Sequence, residues 1–75
     1  MSMTGREYLG WQDTSKRSAQ DKLAMALDAY HDRYGCRPPS VVVSVDQHAE
    51  IVAPDDIVVT SQRSVARDTF LMEVG

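Results

Sequence analysis

The chain has 75 residues, a formal net charge of −3 and a single cysteine. That length makes one domain, and one cysteine excludes an intramolecular disulfide. An acidic balance, with bases scattered among acids and Lys16-Arg17 the one adjacent basic pair, disfavours nucleic acid as a partner, because such binders carry a basic patch that displaces counterions from phosphates.

No apolar run approaches the roughly 20 residues of a membrane-spanning helix. Met1 to Gly10 lacks the apolar core of a secretory signal. With a lone cysteine, Cys36, the expected compartment is the reducing cytoplasm. A chain this short buries only about 60% of its unfolded surface, so stability is expected from a well-packed core or from oligomerisation.

Residues 1–13 read as a partly ordered segment, frayed at the start, and residues 14–75 as a single α+β domain. The N-terminal segment holds an aromatic island, Tyr8, Leu9 and Trp11, which is costly to leave in water and is expected to dock.

From about Ser15 to Tyr34 the pattern is helical. Ala19, Leu23, Ala26, Leu27, Tyr30 and Tyr34 fall in one arc roughly 100° wide, a core-facing stripe. Arg17, Asp21, Asp28 and Asp32 lie opposite. Lys22 and Arg33 flank the stripe, with their stems covering its edge and their charges in water. Thr14, Ser15 and Ser18 are candidate N-caps. Gly35 stops the helix and Pro38-Pro39 forbid its continuation. Met25 falls on the outer, acidic face.

The period then changes to two. Residues 40–45 form a β-branched strand, Asp46 offers a cap for a short helical turn near 47–51, and Pro54-Asp55-Asp56 marks a turn. Residues 57–62 and 69–74 read as two further strands. Their closeness in sequence favours an antiparallel pair. The expected fold is one long helix on a three-stranded, mainly antiparallel sheet, in the order α-β-β-β.

Alternation puts Val41, Val43, Val45, Ile57, Val59, Phe70, Met72 and Val74 under the helix. It leaves Val42, Ser44, Val58, Thr60, Thr69, Leu71 and Glu73 on the second face. Val42, Val58 and Leu71 are more apolar than a solvated face requires, so either the Tyr8–Trp11 segment folds over them or a second copy packs there. Tyr8, Leu9, Trp11, Val42, Val58 and Leu71 form the candidate interaction surface.

Polar candidates are sparse. Asp28 and His31 are one helical turn apart and can meet, but a metal needs three or more converging ligands, and His48 sits apart on a polar loop with Asp46 and Glu50. Cys36 follows the helix C-terminus, where the dipole disfavours a thiolate. Ser61, Arg63 and Ser64 suit an anion but lack a glycine-rich cradle. No cofactor is indicated, and no motif is specific enough to name a family.

The sequence reads as a small non-enzymatic interaction or regulatory protein acting through a protein–protein surface, as a homodimer or with another protein. Two alternatives stand beside it. One is a small-molecule-binding or enzymatic unit assembled across subunits, using Asp28, His31 and His48. The other is an acidic nucleic-acid mimic presenting Asp21, Asp28 and Asp32.

Overall fold

The computed structural model describes residues 7–74; the expectation of a frayed start falls on residues outside that range. The chain is a small α+β fold with one mixed four-stranded sheet and two helices. Their order is β1 (Tyr8–Gln12), α1 (Ala19–Tyr34), β2 (Ser40–Val43), α2 (Val45–His48), β3 (Val58–Ser61) and β4 (Thr69–Glu73).

α1 starts later than the periodicity suggested, because Ser18 wins the cap: its Oγ accepts the Asp21 N–H at 3.1 Å. Gly35 ends the helix at φ 75°, donating its N–H to the His31 carbonyl. A side chain there would be strained, which is why glycine stands at this position. The buried stripe is Ala19, Leu23, Ala26, Leu27 and Tyr30, joined by Lys22. Tyr34, expected in the stripe, is exposed at the last turn, its ring 4.6 Å from that of Tyr30. Met25 is exposed on the outer face, as the pattern requires.

The sheet departs from the expected three-stranded, mainly antiparallel arrangement. The strand order is β1-β4-β2-β3, with β1 and β2 both antiparallel to β4, and β3 parallel to β2. The last two strands therefore do not pair. Ser44, not Asp46, caps α2 by accepting the Gln47 N–H. α2 then begins at Val45, so β2 ends two residues early and Val45 is half exposed rather than core. The connection through α2 is long enough to return the chain parallel to β2, which places β3 beyond β2 and leaves β2 beside β4.

The core lies between α1 and one face of the sheet: Leu23, Ala26, Leu27 and Tyr30 meet Val41, Val43, Ile57, Phe70 and Met72. Tyr30 places its hydroxyl at the edge of this core and donates to the Glu73 carbonyl at 3.1 Å. The segment after α2 is tied to α1 by Gln20, whose side chain donates to the Val52 carbonyl and accepts the Val52 N–H.

One corner is polar. Lys22 is only 4% exposed, and its Nζ donates to Asp68 Oδ1 at 2.7 Å, so its charge is paired inside rather than left in water. Gln47, 1% exposed, donates to the same oxygen at 2.8 Å and accepts the Asp68 N–H at 2.7 Å. Asp68 has a left-handed backbone, φ 68°, sparsely populated by residues other than glycine. The bonds to its side chain and its own N–H hold it there. The Lys22 ammonium, then the Gln47 amide, keep its carboxyl below the ordinary aspartate range.

Candidate functional site

Among the described residues, one face of the sheet lies under the helices and no element covers the other. β1 was not anticipated as a strand: it pairs with β4 from Tyr8↔Glu73 to Gln12↔Thr69. Registered partners share a face, so Leu9 and Trp11 join Met72 and Phe70 on the helix side, where both are half-buried against the core. The aromatic island thus does not fold over the second face; it extends the sheet at its edge.

Two rows of the open face cross all four strands, beside a shorter one of Gln12 and Thr69. Tyr8, Glu73, Ser40 and Val58 form one, with the Ser40 hydroxyl donating to Glu73 Oε1 at 2.6 Å. Gly10, Leu71, Val42 and Thr60 form the other. Leu71 reaches across Gly10, and Val42 is buried beneath its neighbours at 7% exposure, whereas Val58 stands 62% and Tyr8 42% exposed. The two rows hold no basic residue, and their one acid, Glu73, is hydrogen-bonded.

Among the described residues no strand pairs with the outer edge of β1. Val74 donates to the Glu7 carbonyl and Asp13 to the Asp68 carbonyl. By the alternation of an antiparallel ladder, residues 7, 9, 11 and 13 bond to β4, while the N–H and C=O groups of Tyr8, Gly10 and Gln12 point away from the sheet. The strand reads Tyr-Leu-Gly-Trp-Gln and carries none of the lysines, prolines or bulges that usually protect an edge. The Trp11 indole N–H is buried with no hydrogen-bond partner among the described residues.

The other edge, β3, is partly closed. The His48 ring lies with Nε2 3.2 Å from the Val59 carbonyl, and Arg37 holds Asp56, just before the strand, through two bonds of 2.7 and 3.3 Å. Hydrogen bonding by Arg37 lowers the Asp56 pKa. His48 is therefore occupied with the backbone of a neighbouring strand.

Asp28 and His31 are exposed on α1, as are Asp21 and Asp32. Among the described residues no group of three or more His, Cys, Asp or Glu side chains converges as metal ligands. Cys36 is exposed. No helix among the described residues is long and apolar enough to cross a membrane.

The sequence reading missed Gly10 and Gln12 as outward-facing edge residues. The Leu9-x-Trp11 alternation was a signal for a strand, but one short apolar step around a glycine does not distinguish an edge strand from a docked loop. Compared with known proteins, the chain has no matching family model, no matching curated protein and no matching solved structure.

Proposed function

We propose that this protein is a small non-enzymatic interaction module that works as a homodimer, joined through β1. The observation that carries the reading is the unprotected β1 edge. Antiparallel pairing of two β1 strands about a two-fold axis at Gly10 would set Tyr8 opposite Gln12 of the partner subunit, and Gly10 opposite its own copy. Every outward N–H and C=O of Tyr8, Gly10 and Gln12 then finds a partner.

The same operation sets Leu9 against Trp11 of the partner subunit on the helix side, completing the burial of two half-buried residues. β1 itself carries no charge, so the axis brings no like charges together within the strand. Such a closed, isologous contact is the commonest homo-oligomeric arrangement. The two open faces would then form one eight-stranded surface, with Tyr8, Leu71 and Val58 of each copy available to a further protein.

Gly10→Pro tests the reading. The Gly10 N–H is not used by β4, and a Cβ at this position meets only Leu71 Cδ2 at 3.8 Å, so proline is tolerated on this edge but cannot donate across the axis. Light scattering after size exclusion is expected to give a concentration-dependent dimer for the wild type and a folded monomer for the variant. A wild type that stays monomeric at millimolar concentration would overturn it.

A further inference from the structure

Beyond self-association, we infer that the cavity between α2 and the β3–β4 loop is a binding site for a small phosphomonoester. The cavity has a volume of about 320 Å³ and is lined by Ser44, Val45, Asp46, Arg63, Val65 and Arg67. That is near the lower end of ligand-site volumes, room for a phosphate on a short carbon chain.

Three features point to that ligand. First, the chain is acidic overall, yet this cavity is lined by two arginines and one acid. The other cations with assigned partners are used structurally: Lys22 on Asp68, Arg37 on Asp56, and Arg33 over the Tyr34 ring. Among the described residues neither the Arg63 nor the Arg67 guanidinium makes a hydrogen bond or an ion pair; Arg67 adds only a through-space attraction on the neighbouring Asp68 carboxylate, whose hydrogen bonds go to Lys22 and Gln47. Two planar forks offer more donors than a single carboxylate can accept, and they suit the several oxygens of a tetrahedral dianion.

Second, the floor is fixed. Ser44 and Val65 are buried, and Ser44 Oγ is bound to Gln47. The loop between the arginines is closed by the Val65 N–H on the Gln62 carbonyl and the Thr69 N–H on the Ala66 carbonyl. The left-handed Asp68, clamped by Lys22 and Gln47, fixes the backbone immediately after Arg67. Strained backbone held by buried polar groups is a common support for binding residues.

Third, the chemistry of the lining is mixed in a way that selects. Asp46 repels a bare anion but accepts a hydrogen bond from a ligand hydroxyl, while Val45 and Val65 offer apolar wall. A phosphomonoester bearing a hydroxyl meets the arginines, Asp46 and the apolar wall together, whereas inorganic phosphate, whose P–OH can also reach a carboxylate, leaves Val45 and Val65 uncovered.

The test is an NMR titration of the full chain with glycerol 3-phosphate, inorganic phosphate and glycerol. Saturable shifts are expected at residues 44–46 and 62–68, tighter for glycerol 3-phosphate than for phosphate and absent for glycerol. Arg63→Gln and Arg67→Gln should each weaken binding about tenfold, the loss of one charge-assisted contact. Asp46→Asn should tighten inorganic phosphate, by removing a like charge. No saturable shift, shifts spread equally over Lys16, Arg17 and Arg33, or unchanged binding in both arginine variants would overturn the assignment. The Gly10→Pro monomer should bind like the wild type.

Discussion

β1 and β3 are the two edges of one sheet, and they end differently. At β3 the His48 ring meets the Val59 carbonyl, and the Arg37–Asp56 pair pins the approach to the strand. At β1 the outward backbone groups of Tyr8, Gly10 and Gln12 meet nothing from their own sheet, and Leu9 and Trp11 are only half-buried. An edge closed by its own side chains suits a chain end of the sheet; an edge left open with apolar flanks suits a partner strand. The proposed pairing through β1 rests on this difference.

The largest expected effect is on association. Gly10→Pro should weaken the dimer about a hundredfold, since two hydrogen bonds about the axis are lost at about 1 to 1.5 kcal/mol each. Sedimentation equilibrium reads this directly, and circular dichroism should show the fold unchanged.

Next is the polar corner, which serves the fold rather than the edge. Gln47→Ala removes the acceptor of the Asp68 N–H and should cost about 2 kcal/mol in urea unfolding of the Gly10→Pro monomer. The Asp68 carboxyl is depressed in the folded state, so its contribution is present above its unfolded value of 3.8 and is lost as pH falls through the lower folded value. Asp68→Asn should remove that acid-side decline, read as midpoint against pH.

Smaller effects separate the edges. His48→Ala should cost about 0.5 to 1 kcal/mol in monomer stability and leave the dimer constant unchanged. Trp11→Ala should weaken both, because its ring packs on its own core and, across the axis, on Leu9 of the partner subunit. The smallest expected effect is that of salt. Pairing about Gly10 sets Glu7 opposite Asp13 of the partner subunit, so the dimer should tighten about twofold between 0.05 and 0.5 M salt, as like charges are screened.

Much of this fold was legible in the sequence. The helix stripe from Ala19 to Tyr30, its stop at Gly35, and the inward set Val41, Val43, Ile57, Val59, Phe70 and Met72 follow from periodicity, and local rules govern all of them. Pairing did not follow, because it is set by distant contacts. Nearness in sequence favoured an antiparallel pair of β3 and β4, but the segment between β2 and β3, opened by the Ser44 cap, returns the chain parallel to β2, and β4 pairs with β1 and β2 instead. Lys22 looked like a flanking cation because its partner, Asp68, is 46 residues away. On the candidate surface, Val58 is exposed as alternation suggested, Tyr8 is exposed on an edge strand rather than docked over the second face, and Val42 is covered by neighbours that no single-strand pattern shows.

Amide hydrogen exchange at Gly10, followed by NMR as a function of protein concentration, tests the central claim most directly. That amide points away from β4. If β1 pairs across a two-fold axis, its protection should rise with concentration together with those of Tyr8 and Gln12, while the amides of β3 stay as they are. A Gly10 amide that exchanges at the unprotected rate at every concentration would contradict the account.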